Sequence, residues 1–225
     1  MRPAAAAAAL GLALAIGTPV AWQLAREPLS AGAPVERVLP APGPPVSSPD
    51  PPAAAPADPG SLPPATVRDA APTAATVEPP PVRLRVPTLG IDAPVDPVGV
   101  RDDGQMALPD DVDRVGWYRF GPVPGSSGSA VLAGHVDDRE QGLGELAPLR
   151  AADVDAEVVV TDAAGTTSRW RVVSREQVDK QALPLDRLFA REGPPRLVLV
   201  TCGGDFLPEY GSYESNVVVV AEPSS

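Results

Sequence analysis

From Val82 onward the chain breaks into short apolar or alternating runs separated by Gly, Pro and Asp. Arg83-Leu84-Arg85-Val86 alternates polar and apolar until Pro87 stops it, and Ile91–Val98 is a second short run broken by Pro94 and Pro97. A period of two turns one face of a strand to a core and the other to water. Asp102-Asp103-Gly104 marks a turn, Val115–Phe120 is a strand with aromatic mass, and Pro122–Gly128 is a Gly/Pro/Ser loop. Ser129–His135 is apolar almost throughout, which predicts a central strand buried on both faces. Glu157–Thr161, Arg169–Val173, Arg196–Thr201 and Asn216–Ala221 complete a regular series. Only Leu185–Arg191 has a helical pattern, with a single turn over Leu146–Arg150. The prediction is a mainly β domain, a closed barrel of about eight strands with short helices.

Upstream of Val82 the pattern changes twice. Pro3–Leu24 is an uncharged Ala/Leu-rich run between Arg2 and Arg26, long enough to match the hydrocarbon thickness of a bilayer. It reads as an uncleaved anchor; a signal peptide cleaved near Ala21 is the rival. Either reading delivers the rest of the chain to the far side of the membrane. More than half of the 31 prolines then fall between Pro28 and Pro81, in a stretch with no aromatic residue and no apolar periodicity. Such a segment lacks the apolar surface to offset its chain entropy and predicts a disordered, partly polyproline II linker. The expected organisation is therefore residues 1–26 as anchor, 27–81 as linker and 82–225 as a folded catalytic domain. The net charge of −11, with no basic cluster, argues against nucleic acid and against adhesion to anionic lipid.

The chain holds one histidine and one cysteine, His135 and Cys202. Taken singly, a lone thiol in an apolar strand reads as a small buried hydrophobe and a lone imidazole as a structural hydrogen-bonding group. Here Leu197–Val200 run into Thr201-Cys202, and Gly203-Gly204 is expected to end the strand, so the thiol is placed at a strand tip. His135 likewise follows Ala130–Gly134 and precedes the charged Asp137–Glu140. Two chemically competent side chains at two strand mouths suit a cleft, and a cysteine with a proton-exchanging histidine is the minimum for thiol catalysis. One His and one Cys without repeated acidic spacing make a metal site improbable, and no cofactor is implied.

These residues resemble the sortases, membrane-anchored cysteine transpeptidases of Gram-positive envelopes. Val198–Cys202 (VLVTC) resembles the family's TLxTC signature, with Val198 in place of its first threonine, and Ala133–Asp137 (AGHVD) resembles the strand end that carries the catalytic histidine. The LVTCGG ending, GHVDD, Gly142-Leu143-Gly144, Tyr213–Ala221 (YESNVVVVA) and the opening Val82–Val100 together look most like the class F group. The resemblance implies a single-pass cell-membrane protein with an extracellular catalytic domain, acting as a monomer. It would cleave an LPxTG-like sorting signal on secreted proteins through a Cys202 acyl-thioester and pass the protein to an envelope amine such as a cell-wall precursor.

One position departs from the pattern. Sortases resemble one another in an arginine a dozen or so residues after the cysteine, yet Gly203–Ser225 contains neither arginine nor lysine. Aligned on the VVVVA strand, the position falls at Asn216, or within Tyr213–Asn216. The resemblance thus implies His135, Cys202 and Asn216 as catalytic residues, with Thr201, Gly203 and Arg139 as candidate substrate contacts. A cysteine peptidase and a sortase-like envelope protein without activity remain as alternatives.

Overall fold

The computed structural model describes residues 30–41 and 78–224. Strands β1 (Ser30–Gly32), β2 (Pro81–Val86), β3 (Ile91–Val98), β4 (Val115–Tyr118) and β5 (Ser129–Ala133) precede a small hairpin of β6 (Asp137–Asp138) and β7 (Gly142–Leu143). β8 (Glu157–Asp162), β9 (Thr167–Asp179), β10 (Arg196–Leu207) and β11 (Ser212–Pro223) follow. Neighbours run β9–β11–β10–β5–β4–β3–β2–β8, and β8 pairs again with β9, so eight strands close into a barrel. Closure leaves these strands no free edge. Among the described residues the α-helices are two single turns, α1 (Val35–Val38) and α2 (Leu185–Leu188).

Alternation sorts the barrel into two layers. Leu197 and Leu199 of β10, Val217 and Val219 of β11 and Leu132 of β5 fill the interior with Trp170. The intervening Val131, Val198, Val218 and Val220 point outward and are buried all the same, because Val35, Leu39 and Leu188 cover them. This outer layer explains why Ser129–Ala133 is apolar at every step: all five residues are buried.

The outer layer also corrects the expectation of a disordered linker over 27–81. At residues 30–41 the chain is folded onto the barrel: β1 pairs antiparallel with β9, Ser30 opposite Glu176. Glu176 Oε2 accepts the Val35 N–H at 2.8 Å, and Ser174 Oγ donates to the Ala33 carbonyl at 2.6 Å. Val35 and Leu39, one helical turn apart, are 1 % and 4 % exposed. Two apolar residues among prolines make no periodic signal, so composition alone conceals this clasp. The apolar run 3–24 and linker residues 27–29 and 42–77 lie outside the described residues. Among the described residues no helix is long and apolar enough to cross a membrane.

A second correction concerns Cys202. β10 does not stop at Gly203-Gly204 but continues to Leu207, with its register against β11 shifting between Gly203 and Phe206. Gly204 takes φ +76° there, left-handed backbone that glycine adopts without strain. Gly203 stays paired with Ser215, and Gly204-Asp205 make a bulge in the ladder instead of an end.

Candidate active site

The parallel pair β5–β10 sets the geometry. Ala133 lies opposite Val200, where β5 ends. The next residues remain tied together: the Gly134 N–H donates to the Val200 carbonyl at 3.1 Å, and Thr201 Oγ1 donates to the Gly134 carbonyl at 3.0 Å. Continued one residue further along each chain, this register sets Cys202 of β10 level with His135, two residues past the end of β5. Across β10's other edge, Cys202 stands directly opposite Asn216.

The imidazole is oriented by its backbone surroundings. His135 Nε2 lies 3.1 Å from the Pro109 carbonyl. A carbonyl only accepts, so Nε2 carries the proton and Nδ1 is the basic atom of the neutral ring. Gly144 packs against the backbone that carries the ring, and a Cβ there would stand 2.4 Å from the His135 carbonyl oxygen. Only glycine permits that approach.

Ala133, Val200, Cys202 and Asn216 line the floor of a groove of about 670 Å³ on the outside of the barrel. Met106 and Leu108 of the β3–β4 loop form one wall, and Leu183, Leu188 and Phe189 the other. Lys180 and Ser212 stand with Cys202 and Asn216 as its polar groups, and a largely apolar trough with a few convergent polar groups is the shape of a ligand site.

The thiol is half-buried. Burial pushes its pKa above the ordinary cysteine value; the Lys180 charge pulls it down, the Asp137 carboxylate pushes it up, and hydrogen bonding to Lys180 lowers it again. Asp137 accepts a 2.6 Å hydrogen bond from the Tyr213 hydroxyl. That bond, followed by burial and the carboxylate's charge, holds the Tyr213 phenol up to about 12. Asp138 is kept below the usual carboxylate range by the backbone N–H groups of Glu140 and Gln141. Both carboxylates next to His135 in sequence are therefore engaged elsewhere.

The structure sets Cys202 opposite Asn216 in the groove, holds the His135 ring against Pro109 outside the groove lining, and separates the three expected substrate contacts from the groove. Thr201 is 2 % exposed and faces the barrel interior, where its hydroxyl ties the ends of β5 and β10. Gly203 is in the ladder opposite Ser215, and a Cβ there would meet Val217 Cγ2 at 2.8 Å, so it offers the groove no side chain. Arg139 sits exposed in the turn between β6 and β7 and does not line the groove. Arg119 stacks its guanidinium on Phe120, 4.8 Å from the ring centroid. The groove residue that sequence reasoning overlooked is Lys180. Its signal was plain: it is the only lysine in the chain.

A closed eight-stranded barrel with a cysteine on one strand and a histidine just past the end of its parallel neighbour defines a thiol-bearing β-barrel of the sortase type. Residues 84–224 match the family model described as Sortase domain, and the chain belongs to the sortase family. A comparison with curated protein sequences finds no match. Among solved structures, the lid mutant of sortase A from Corynebacterium diphtheriae superposes with a TM-score of 0.50 at 17% identity, over 67% of this chain and 73% of that one. Sortase A from the same organism gives 0.48 at 17% identity over 66% of this chain. The match spans 62% of that protein's own length. Group B Streptococcus pilus island 1 sortase C2 gives 0.48 at 21% identity, covering 64% and 73%. At these identities the likeness is one of fold.

Proposed function

We propose that this protein is a membrane-anchored cysteine transpeptidase that cuts an LPxTG-like signal at the Thr–Gly bond and passes the new carboxyl end to an amine. The observation that supports the reading is Cys202 on the floor of an open groove, with His135 two residues past the end of the neighbouring parallel strand. The Cys202 thiolate adds to the threonine carbonyl carbon; the C–N bond breaks, and the glycine nitrogen leaves with a proton from protonated His135. Neutral His135 next takes a proton from the acceptor amine as its nitrogen attacks the thioester. The C–S bond then breaks and the thiolate returns. Asn216, across from Cys202, offers its side-chain NH₂ to the oxyanion formed in each step. The LVTCGG, GHVDD and YESNVVVVA segments support membership of the class F group, and the apolar run 3–24 supports a single-pass anchor with the barrel outside the cell.

The test is intact mass after incubation with LPxTG-like peptides. The expected result is a thioester adduct on Cys202, discharged by an added amine and absent in Cys202→Ala and His135→Ala. Adducts that yield only hydrolysed peptide in excess amine would favour a cysteine peptidase. No adduct with any peptide on a folded protein would favour a barrel without activity.

A further inference from the structure

The ladder that aligns the thiol extends one strand further. Cys202 faces Asn216 on β11, and Asn216 in turn faces Val178 on β9. Lys180 follows Val178 by two residues, just beyond the end of β9, and lines the groove beside Cys202, Ser212 and Asn216. Its Nζ donates to Ser212 Oγ at 2.6 Å. Among the described residues it forms no ion pair with a carboxylate, although the chain carries 29 acidic residues against 18 basic ones. Every other basic residue in the chain is arginine. A lysine places a compact point charge on a slim stem, which fits in a narrow groove where a planar guanidinium demands more room.

We infer that Lys180 is the cation that supports the Cys202 thiolate, and that Ser212 holds its ammonium in place for that task. The inference rests on the thiol chemistry proposed above. A half-buried thiol is a poor nucleophile unless a positive charge offsets the loss of water. The charged and titratable groups set against it are Lys180 from the end of β9, Asp137 from β6 and Tyr213 from β11, with His135 two residues past the end of β5. Asp137 opposes ionisation, and the Tyr213 hydroxyl is donated to Asp137. His135 serves as acid and base in turn, so its charge is not constant through the cycle. Lys180 keeps its positive charge throughout, and is therefore the steady counter-charge for thiolate and oxyanion alike.

The test is the pH dependence of Cys202 alkylation by iodoacetamide in the full chain, where a single cysteine makes the mass shift unambiguous. Lys180→Met, which keeps the stem and removes the charge, should move the midpoint up by about one pH unit or more. Lys180→Arg, which keeps the charge but needs more room, should shift the midpoint less than Lys180→Met does, and Ser212→Ala should shift it part of the way. If Lys180→Met does not fold, Lys180→Gln provides the same comparison. A midpoint unchanged in the neutral variants would overturn the inference. Alkylation needs no peptide, so the two proposals fail separately. A shifted midpoint without any peptide adduct would sink the transpeptidase reading alone, and an unshifted midpoint with normal adducts would sink the role of Lys180 alone.

Discussion

Replacing Thr201 by valine removes one oxygen at nearly constant volume, from the one side chain that ties the strand of Cys202 to that of His135. Thr201 is 2 % exposed, and its hydroxyl donates to the Gly134 carbonyl at 3.0 Å. A typical buried hydrogen bond contributes about 0.5–1.5 kcal/mol net, and a buried acceptor left without its donor costs about 1–3 kcal/mol. The expected loss is about 2 kcal/mol, equivalent to a fall in Tm of about 4–8 °C for a domain of this size. Thr201→Ser keeps the donor and loses only a methyl, at about 1 kcal/mol. The bond also sets the level at which His135 meets Cys202, and a misplacement of about 1 Å can cost 10²-fold in rate. The rate of peptide-thioester formation should therefore fall at least about tenfold in Thr201→Val and be largely retained in Thr201→Ser. The assays are thermal melting followed by circular dichroism and adduct formation followed by mass. If the serine and valine variants melt together, or if valine acylates at the wild-type rate, the tie has neither role.

Three further perturbations test other parts of the structure. Leu39→Ala should cost about 2–3 kcal/mol in chemical denaturation, because Leu39 is 4 % exposed beneath the clasp. A chain beginning at Val82 should be less stable than one beginning at Ser30 and bind more of a hydrophobic dye, since Val131, Val198, Val218 and Val220 lose their cover; equal stability and equal dye binding would show that the clasp contributes nothing. Spectroscopic titration of the tyrosines should reveal one that ionises near 12, and Asp137→Asn should bring it back toward 10. The stability from this raised pKa is complete below the unfolded value near 10 and is lost as pH rises toward 12, so alkaline unfolding should begin earlier in Asp137→Asn.

The strands of the barrel were legible because a strand writes its period into adjacent residues. Arg83–Val86 alternates between core and water, and Ser129–Ala133 does not because a second layer covers its outer face. His135 and Cys202 were legible as unique reactive side chains at the ends of apolar runs. The clasp was not: Val35 and Leu39 acquire their meaning only from Val198 and Val220, which lie far along the chain. Thr201 presented itself as a substrate contact because its neighbour is Cys202, yet strand alternation turns it inward, to the Gly134 carbonyl.

Sequence by itself thus determined the β class, the approximate strand set, the family resemblance and the two reactive groups, all of which are written in local pattern and residue type. Tertiary structure decided which residues share the groove. Lys180, Cys202 and Asn216 belong to three different segments, and only the pairing of β9, β11 and β10 brings them together, with His135 two residues past the end of β5 on β10's other side. Register between distant strands depends on burying both faces of the ladder at once, and no short stretch of sequence contains that constraint.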